Sequence, residues 1–497
     1  MAQINISHLT FAYDGSYDNV FDDLSIDFDT DWRLGLVGRN GRGKTTLLRL
    51  LLGQYDFRGN ISCPAECTYF PVEVRGHGLT ALEAALQAAP QLEQWRLERA
   101  LGELRLDSAV LERSWETLSS GERTKVLLAA LFQQDGGFPL IDEPTNHLDA
   151  EGRRVLAQFL CRQKGFVLVS HDRAFLDGCV SHILALNRSG VEVQRGDFSS
   201  WWENRRRQDA FEQTENERLQ KDIRRLSEAA RRTSTWSDQV EKTKKGQRNA
   251  GLRPDRGYIG HKSAKMMKRS KAIEERREDA IRQKSSLLKN VEKTETLKLS
   301  PLEWRRGRIL EARGLSLYYG GRQVCGGLDF EVLPGERIAV RGANGSGKST
   351  LLKLCLGEEI EHTGRFEKGT GLVLSYVPQD AGFLRGSLRD FAARSAIDES
   401  LFKAILRKLD FARVQFEKDM SDLSAGQKKK VLLARSLCQQ AHLYIWDEPL
   451  NYIDVFSRIQ IEQLLRQQEA AMLFVEHDAA FCENVGARVQ EIVRLPQ

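Results

Sequence analysis

Two short stretches of this 497-residue chain have the residue types and the spacing of a phosphate-binding loop. Residues 38–45 read Gly-Arg-Asn-Gly-Arg-Gly-Lys-Thr and residues 342–349 read Gly-Ala-Asn-Gly-Ser-Gly-Lys-Ser, so both fit G-x-x-x-x-G-K-[ST]. In such a loop backbone N–H groups surround phosphate oxygens, and the following helix directs its positive end at them. The lysine would reach the β- and γ-phosphates, and the hydroxyl residue would ligate Mg²⁺. The chain therefore predicts two sites for a nucleoside triphosphate.

An acidic pair follows each loop at the end of an apolar run. The pair is Asp142-Glu143 in the first half and Asp447-Glu448 in the second. An aspartate at a strand end can hold the Mg²⁺ shell, and the glutamate after it can polarise the attacking water as a general base. Acidic residues that merely end a strand are common, but the matched distance from a phosphate loop favours the catalytic interpretation.

The motifs repeat at a nearly constant distance. The loop lysines Lys44 and Lys348 are 304 residues apart, Asp142 and Asp447 are 305 apart, and two histidines are 306 apart. These histidines, His171 and His477, each follow a strand-like run, where an imidazole could contact the γ-phosphate. A drift of two residues over about 130 indicates two copies of one domain.

Strand-like and helix-like segments alternate in both copies, which predicts a largely parallel α/β core. We expect the first copy in residues 1–203 and the second in residues 304–497. The apolar strand-like runs lie at residues 34–38, 138–141 and 166–169 of the first copy and at residues 337–340, 443–446 and 472–475 of the second.

A basic segment separates the two copies. Residues 201–300 contain 27 Lys and Arg and 16 Asp and Glu, a net charge of +11, whereas the whole chain carries +5. Such a block attracts a polyanion. Apolar residues at helical spacing predict helices over 205–232 and 262–295. The expected linker, residues 204–303, is therefore a long α-helical hairpin with its glycine-rich tip near 236–262. A flexible charged linker is the alternative.

Composition excludes a membrane-spanning chain. No stretch reaches the roughly 18–20 consecutive apolar residues that a bilayer requires, and the first residues lack the pattern of a signal peptide. The eight cysteines are scattered, which suits a reducing compartment. We therefore expect a cytoplasmic protein.

The ordered motifs resemble the ATP-binding cassette family over nearly the whole of both copies. The most specific element is Leu118-Ser-Ser-Gly-Glu122, repeated as Leu423-Ser-Ala-Gly-Gln427, which is similar to that family's signature sequence. The resemblance implies an ATPase with ATP and Mg²⁺ as cofactors. It also implies a monomer whose two cassettes pair head to tail, so that each site is shared between them.

The resemblance assigns residues to the two sites. Site one would combine the copy-one residues Lys44, Thr45, Asp142, Glu143 and His171 with Ser424 and Gly426. Site two would combine the copy-two residues Lys348, Ser349, Gln379, Asp447, Glu448 and His477 with Ser119 and Gly121. Mg²⁺ would be held by Thr45 and Asp142 in site one and by Ser349, Gln379 and Asp447 in site two. The other expected nucleotide-binding residues are Gly38, Asn40, Gly41, Gly43, Thr46 and Asp149 in copy one and Gly342, Asn344, Gly345, Gly347, Thr350 and Asp454 in copy two. Tyr13 and Tyr319 could stack on adenine rings or be ordinary strand aromatics.

One position departs from the family pattern. The second copy has Tyr376-Val-Pro-Gln379, whose glutamine would contact Mg²⁺ and water, whereas the first has Tyr69-Phe-Pro-Val72. Valine cannot form hydrogen bonds. We expect site one to bind or hydrolyse ATP less well than site two, unless the neighbouring Glu73 substitutes.

Two cassettes with a basic linker resemble the ABC-F proteins, and within them the Lsa-type antibiotic-resistance group. The segments that carry this resemblance are residues 36–46, 138–144, 267–271 and 443–452. The resemblance implies binding at the exit site of the bacterial ribosome, with the linker directed at P-site tRNA and the peptidyl-transferase rRNA. Lincosamide, pleuromutilin and streptogramin A antibiotics would be displaced. A housekeeping ABC-F translation factor, the ATPase subunit of a transporter and a DNA-repair ATPase are the alternatives.

Overall fold

The computed structural model describes residues 2–15, 19–134, 136–146, 148–187, 190–243 and 297–493. The chain divides into two compact units, one made of Met1–Trp201 with Thr294–Gln497 and the other of Trp202–Lys293. Both copies of the repeated domain lie in the first unit, so the contacts between them belong to one compact body.

The first copy is built on two sheets. The six-stranded sheet has the order β5-β6-β7-β3-β8-β9 and is parallel except at the β8–β9 edge, and the antiparallel sheet has the order β2-β1-β4. The strands are β1 (Gln3–Phe11), β2 (Phe21–Asp29), β3 (Arg33–Gly38), β4 (Arg58–Ser62), β5 (Glu66–Phe70), β6 (Gly137–Asp142), β7 (Phe166–Val169), β8 (His182–Asn187) and β9 (Gly190–Arg195). The helices are α1 (Lys44–Leu51), α2 (Ala81–Ala88), α3 (Gln94–Glu103), α4 (Ser120–Leu131), α5 (Ala150–Arg162) and α6 (Arg173–Cys179).

The order of the central strands brings the motifs together. β3 ends at the phosphate loop, β6 ends at Asp142, and β7 is followed by His171. These strands are neighbours in the order β6-β7-β3, and all three are parallel. Their carboxyl ends therefore meet at one edge of the sheet, where ligands of open α/β sheets bind. Every residue of β7 is buried, as expected of a parallel strand covered on both faces.

The first copy continues into one long helix, α7 (Phe198–Thr243). The helix begins after Asp197, whose carboxylate accepts a 2.8 Å hydrogen bond from the Ser200 N–H. It is longer than the predicted 205–232 because no glycine or proline interrupts its sequence. Residues 236–243 are therefore helical, which corrects their placement in the tip loop. The rest of the tip and the predicted second helix lie outside the described residues, so the hairpin stays a prediction.

The second copy repeats the architecture of the first. Its parallel sheet has the order β14-β15-β16-β12-β17, and its antiparallel sheet has the order β11-β10-β13. The strands are β10 (Leu310–Tyr319), β11 (Arg322–Val332), β12 (Arg337–Arg341), β13 (His362–Lys368), β14 (Leu374–Val377), β15 (Leu443–Asp447), β16 (Met472–Val475) and β17 (Arg488–Glu491). The helices are α8 (Lys348–Leu356), α9 (Leu388–Arg394), α10 (Glu399–Lys408), α11 (Ala425–Cys438), α12 (Val455–Gln467) and α13 (Ala479–Asn484).

The predicted fold class, two tandem α/β cassettes, is thereby confirmed. In each copy the first helix after the phosphate loop packs between the two sheets, where Leu47 and Leu48 of α1 and Leu351 and Leu352 of α8 are buried. This packing anchors each phosphate loop to the core. None of the helices in the described part of the chain has the length and apolar composition to cross a bilayer.

Candidate nucleotide sites

Each phosphate loop joins a central strand to the helix that starts with its lysine. The residue before each helix is a glycine in the left-handed region, with φ of 85° at Gly43 and 91° at Gly347. A Cβ atom at Gly43 would also lie 2.7 Å from side-chain atoms of Val20 and Phe21, so the loop requires glycine there. Neither helix has a side-chain cap, which leaves its first N–H groups available to an anion.

The loop lysines fold back over their loops. Lys44 Nζ donates to the carbonyl of Gly38 at 2.8 Å, and Lys348 Nζ donates to the carbonyl of Gly342 at the same distance. Burial lowers the pKa of both lysines. Each ammonium group therefore lies within its loop, where it would meet a phosphate.

A hydroxyl group and a carboxylate meet beside each lysine. Thr45 Oγ1 donates to Asp142 Oδ2 at 2.7 Å, and Ser349 forms a hydrogen bond with Asp447. Tyr69 also donates to Asp142 at 3.2 Å, a contact that the sequence did not reveal. The second carboxylate oxygen of Asp447 is buried and has no hydrogen-bond partner among the described residues. Hard oxygen donors of this kind, one of them unsatisfied, fit a Mg²⁺ ion.

The glutamates that follow these aspartates each face a histidine. His171 Nε2 lies 3.3 Å from Glu143 Oε1, and His477 Nε2 lies 3.6 Å from Glu448 Oε1. Both glutamates have positive φ, 52° and 46°, a conformation that side-chain-bearing residues rarely adopt. Backbone strain of this type is concentrated at functional sites. The arrangement suits a general base that a neighbouring imidazole orients.

The pKa values of the two glutamates shift in opposite directions. Burial, and then the neighbouring Asp142, raise the pKa of Glu143 to about 8. Burial also acts to raise the pKa of Glu448, but interactions with His477 and Gln379 outweigh it and lower that pKa. Without nucleotide, the surroundings therefore favour the protonated form at Glu143 and the ionised form at Glu448. Only the ionised form can accept a proton from water.

The glutamine position explains part of this difference. Gln379 Nε2 donates to Glu448 Oε2 at 2.9 Å. Val72, at the matching position of copy one, offers no polar group. Glu73 does not take over this role in the structure, because its side chain is 87% exposed and pairs with Arg75 at 3.6 Å.

The two signature sequences form the same helix start. Ser119 Oγ accepts from the Glu122 N–H at 3.2 Å, and the Glu122 carboxylate accepts from the Ser119 N–H at 2.8 Å. Ser424 and Gln427 make the equivalent pair of bonds at 3.3 and 3.0 Å. This capping box fixes the first turn of α4 and of α11. The serine and glycine of each signature are therefore held at a defined helix N-terminus.

Site one brings the signature of copy two to the phosphate loop of copy one. Asn40 Nδ2 donates to the Tyr452 carbonyl at 3.0 Å. A Cβ atom on Gly426 would lie 2.5 Å from that carbonyl oxygen and 3.2 Å from Asn40 Nδ2, so only glycine fits. Asp454 is the carboxylate with the strongest electrostatic effect on Lys44. The head-to-tail pairing of the cassettes is therefore present at this site.

Site two is also lined by both copies. One cavity of about 460 Å³ combines copy-two residues of the site with copy-one residues of the facing surface. The copy-two residues include Tyr319, Asn344, Gly345, Gly347, Lys348, Ser349, Thr350, Gln379, Glu448 and His477, and the copy-one residues include Ser120, Asn146 and Arg153. A neighbouring cavity of about 750 Å³ is lined by Ser119, Gly121, Asp149 and Asn344. Most of the sequence-predicted members of site two thus border these two cavities, whereas Gly342 and Asp447 line neither.

Asp149 and Asp454 begin the helices that lie between the sites. Asp149 Oδ1 accepts from the Gly152 N–H at 2.8 Å, and Asp454 Oδ1 accepts from the Ser457 N–H at 2.9 Å. Asp454 also accepts from Lys430 Nζ at 2.8 Å in a fully buried pair. Each aspartate therefore has a structural role as a helix N-cap, whatever it does toward nucleotide.

The two tyrosines lie in different surroundings. Tyr13 packs edge-on against Phe11 and Tyr55, and its hydroxyl is 2.7 Å from Thr46 Oγ1. Tyr319 is 70% exposed and borders the site-two cavity. An adenine-stacking role is open to both, and it stays a prediction.

Buried ion pairs behind the sites were missed by sequence reasoning. Arg153 pairs with Asp172 at 2.9 Å, and the matching Arg458 pairs with Asp478 at 3.3 Å. Their repetition at offsets of 305 and 306 residues was the signal that could have found them. Each pair joins the helix after the N-cap aspartate to the residue after the site histidine, and so fixes that histidine.

A further ion pair joins the two copies. Arg173 Nη1 donates to Glu462 Oε2 at 3.2 Å. The positions that match these residues in the opposite copies are Ala479 and Ala157, which cannot form the equivalent pair. No linear pattern marks this contact, because it depends on how the copies pair.

Comparison with known proteins agrees with this geometry. Residues 21–146 and 325–451 match the ABC transporter family. The ATP-binding protein Uup of Caulobacter vibrioides is 28% identical over 485 residues, which cover 94% of this chain and 74% of Uup. The ribosome protection protein VmlR of Bacillus subtilis is 29% identical over 464 residues, which cover 91% of this chain and 80% of VmlR.

A solved structure has the same fold. The archaeal ribosome recycling factor aABCE1, in complex with the archaeal ribosomal stalk protein aP1, superposes with a TM-score of 0.61 at 21% identity, covering 95% of this chain and 84% of that one. The family match falls once in each copy and includes both phosphate loops and both acidic pairs. The chain therefore belongs to the ABC transporter family of ATP-binding cassette proteins, with two cassettes in one polypeptide, and it is an ATPase that converts ATP to ADP and phosphate.

Proposed function

We propose that this chain is a ribosome protection protein whose two cassettes close on ATP. At each site the loop N–H groups and the lysine, Lys44 or Lys348, hold the phosphates. The opposite signature, at Ser424 and Gly426 or at Ser119 and Gly121, covers them from the other cassette. Mg²⁺, held by Thr45 with Asp142 and by Ser349 with Asp447, would neutralise phosphate charge.

Site two carries most of the hydrolysis in this proposal. Glu448 is ionised at neutral pH, and it accepts hydrogen bonds that fix its carboxylate, including the 2.9 Å bond from Gln379. It is therefore ready to orient a water molecule and take its proton. Glu143 lacks the glutamine partner and has a raised pKa, so site one turns over more slowly.

One observation carries the proposal that the partner is a ribosome. The similarity to the Bacillus subtilis ribosome protection protein covers 91% of this chain, so it cannot leave out the whole of the roughly 100 residues between the cassettes. That segment holds the excess positive charge of the chain. Arg and Lys side chains on a helical support can neutralise rRNA and tRNA phosphates.

In detail, we propose a cytoplasmic monomer that binds the ribosomal exit site in its ATP-bound form. The linker, residues 204–303, would extend toward the peptidyl-transferase centre and contact P-site tRNA and large-subunit rRNA. Lincosamide, pleuromutilin and streptogramin A antibiotics would leave as a result. ATP can drive this change only by binding the closed form more tightly than the open one. Hydrolysis would then reopen the cassettes and release the protein.

The test is sedimentation of the double variant Glu143→Gln/Glu448→Gln with ribosomes and ATP. Loss of both general bases leaves the phosphate-binding groups intact, so the closed form should accumulate and sediment with ribosomes. The wild-type protein should sediment less, and the double variant without ATP should stay in the supernatant. A double variant that remains free of ribosomes with ATP would contradict the proposal.

A drug-susceptibility panel separates the remaining functions. A bacterial host that expresses the wild-type chain should tolerate higher concentrations of the three drug classes than one that expresses the double variant. Ribosome binding without any change in susceptibility would instead identify a housekeeping translation factor. Recovery in the membrane fraction with integral subunits would identify a transporter ATPase.

A further inference from the structure

A buried lysine outside the nucleotide motifs holds three backbone carbonyls of site two. Lys429 lies on α11 and is only 2% exposed. Its Nζ donates to the carbonyls of Pro378 at 2.9 Å, Gln379 at 3.2 Å and Asp447 at 3.1 Å. All three protons of the ammonium group are therefore used on the segments that carry the glutamine and the metal-site aspartate of site two.

Lys429 is matched by a buried carboxylate that exists in copy two alone. Among the acidic residues, Glu476 has the strongest electrostatic interaction with Lys429. Glu476 is 2% exposed and accepts from the N–H of His477 at 3.0 Å. The positions that match this pair in copy one are Thr124 and Ser170, which carry no charge. A buried cation and a buried anion thus replace two hydroxyl residues at the same depth in the fold.

The helix that carries Lys429 begins at the other nucleotide site. α11 starts after Ser424, and Gly426 in its first turn packs against Asn40 and the Tyr452 carbonyl at site one. Lys429 follows Gly426 by three residues, about 4.5 Å along the helix axis. A rigid helix of this length moves as a unit. Displacement of its N-terminus at site one is therefore carried to the carbonyls that Lys429 holds at site two.

We propose that Lys429 is a positioning residue that couples closure of site one to ATP hydrolysis at site two. The inference rests on the proposed assignment of Gln379 and Glu448 to the hydrolytic site. When the N-terminus of α11 contacts the phosphate loop of copy one, Lys429 positions the backbone of Gln379 and Asp447. The side-chain amide of Gln379, which orients Glu448, is positioned with that backbone.

Among the described residues, no matching connection runs from site two through α4 to site one. Thr124 occupies the matching place on α4, whose first turn carries the signature for site two. A threonine hydroxyl is attached directly to Cβ and cannot reach the carbonyls that a lysine ammonium spans. Copy one also lacks the glutamine, since Val72 stands in its place. Coupling of this kind therefore runs from site one, through α11 and Lys429, to site two.

The test uses the full chain with Glu143→Gln, so that turnover reports site two. Two variants remove the hydrogen bonds that Lys429 donates to the three backbone carbonyls. Lys429→Met keeps the length of the side chain, and Lys429→Thr with Glu476→Ser converts the pair to its copy-one form without leaving a buried charge. Thr124→Val is the matched control in copy one. We expect both variants to lower kcat about ten- to hundredfold with less than a threefold change in KM for ATP, because misplaced catalytic groups affect the chemical step. The control should keep its kcat.

A double-mutant cycle tests the coupling itself. Ser424→Ala disturbs the site-one end of α11 and should lower site-two kcat about fivefold when Lys429 is present, but less than twofold in the Lys429→Thr/Glu476→Ser protein. Additive effects would overturn the coupling, and so would a rise in KM with unchanged kcat. If Glu448→Gln leaves most of the turnover in place, the assignment of site two fails as well. If Glu448→Gln removes turnover while the Lys429 variants behave as wild type, only this inference fails.

Discussion

The two nucleotide sites are copies of one design that differ in a few polar side chains. In site two, Gln379 donates to Glu448 and Lys429 holds the neighbouring backbone. In site one, Val72 and Thr124 stand at the matching positions. The pKa of the glutamate is lowered in site two and raised in site one. The shared fold places the motifs, whereas burial and Asp142 raise the pKa of Glu143, and His477 and Gln379 lower that of Glu448.

The cassettes meet at both sites. At site one, Asn40 of copy one donates to the Tyr452 carbonyl of copy two, and a Cβ atom on Gly426 would lie 3.2 Å from Asn40 Nδ2. At site two the facing surfaces enclose a cavity of about 460 Å³. The contrast between the sites therefore lies in the polar partners of the two glutamates.

The largest expected effect tests whether the two sites contribute unequally to ATP hydrolysis. Glu448→Gln should lower steady-state ATP turnover about a hundredfold or more, in the range that loss of a general base produces. Glu143→Gln should lower it less than about threefold, because site one contributes little. Phosphate release measured for the two single variants and the wild-type protein decides the point. Equal losses for both would contradict the asymmetry.

The contact between the cassettes at site one is tested at Gly426. Gly426→Ala places a methyl group 2.5 Å from the Tyr452 carbonyl oxygen of the same cassette and 3.2 Å from Asn40 Nδ2 of the other, so it disturbs the contact that joins the cassettes at site one. We expect ATP-dependent closure to weaken about tenfold, or ~1.4 kcal/mol, as is usual for overpacking. An ATP titration monitored by a pair of fluorescent labels, one on each cassette, measures this.

Gly102→Ala is the matched control for that variant. Gly102 lies on α3, and a Cβ atom there would meet no other atom within 4 Å. Alanine is favoured over glycine inside a helix, so this variant should close normally and unfold at the same or a slightly higher temperature. Normal closure of Gly426→Ala would show that site one is not packed as tightly as described.

The pH dependence of stability should separate the two glutamates by sign. The pKa of Glu143 is about 8 in the folded protein against an ordinary 4.5, so the folded state binds the extra proton in this window. Stability therefore falls as the pH rises from 4.5 to 8, and Glu143→Gln should remove that loss. The pKa of Glu448 is lowered, so its contribution is present above its ordinary pKa and is lost as the pH falls.

At pH 8 without nucleotide, Glu143→Gln should therefore stabilise the protein, on the order of 4 kcal/mol, and Glu448→Gln should destabilise it. Thermal or denaturant unfolding at pH 6, 7 and 8 measures both effects. The difference between Glu143→Gln and wild type should grow with pH. Shifts of the same sign for the two variants would show that the electrostatic contrast between the sites is not real.

The sequence predicted those parts of the sites that lie in linear motifs. Lys44, Thr45 and Asp142 meet as expected because three neighbouring parallel strands end at one edge of the sheet. The approach of Gly426 to Asn40 followed from the family resemblance and is present in the structure. The cassette fold was likewise predictable, since alternation of strands and helices over two matched copies leaves few topologies.

Other features depend on long-range contacts that no local pattern encodes. Lys429 appears in the sequence as one of three consecutive lysines, and only the fold shows that it holds backbone carbonyls of site two. The ion pair of Arg173 with Glu462 requires the pairing of the cassettes to be known. The apolar seam that predicts the first linker helix ends at Ala230, whereas α7 continues to Thr243 because no glycine or proline lies between these residues.

The smallest expected effect comes from giving site one the polar residues of site two. Val72→Gln restores the missing amide to site one and should raise the turnover of that site, measured in a Glu448→Gln background, by about two- to fivefold. The gain is limited because Thr124 cannot hold the loop backbone as Lys429 does in copy two. Adding Thr124→Lys with Ser170→Glu should increase the gain further, since the full polar set of copy two is then present. If the combined variant turns over no faster than Val72→Gln alone, the amide by itself accounts for the difference between the sites, and the lysine has no part in it.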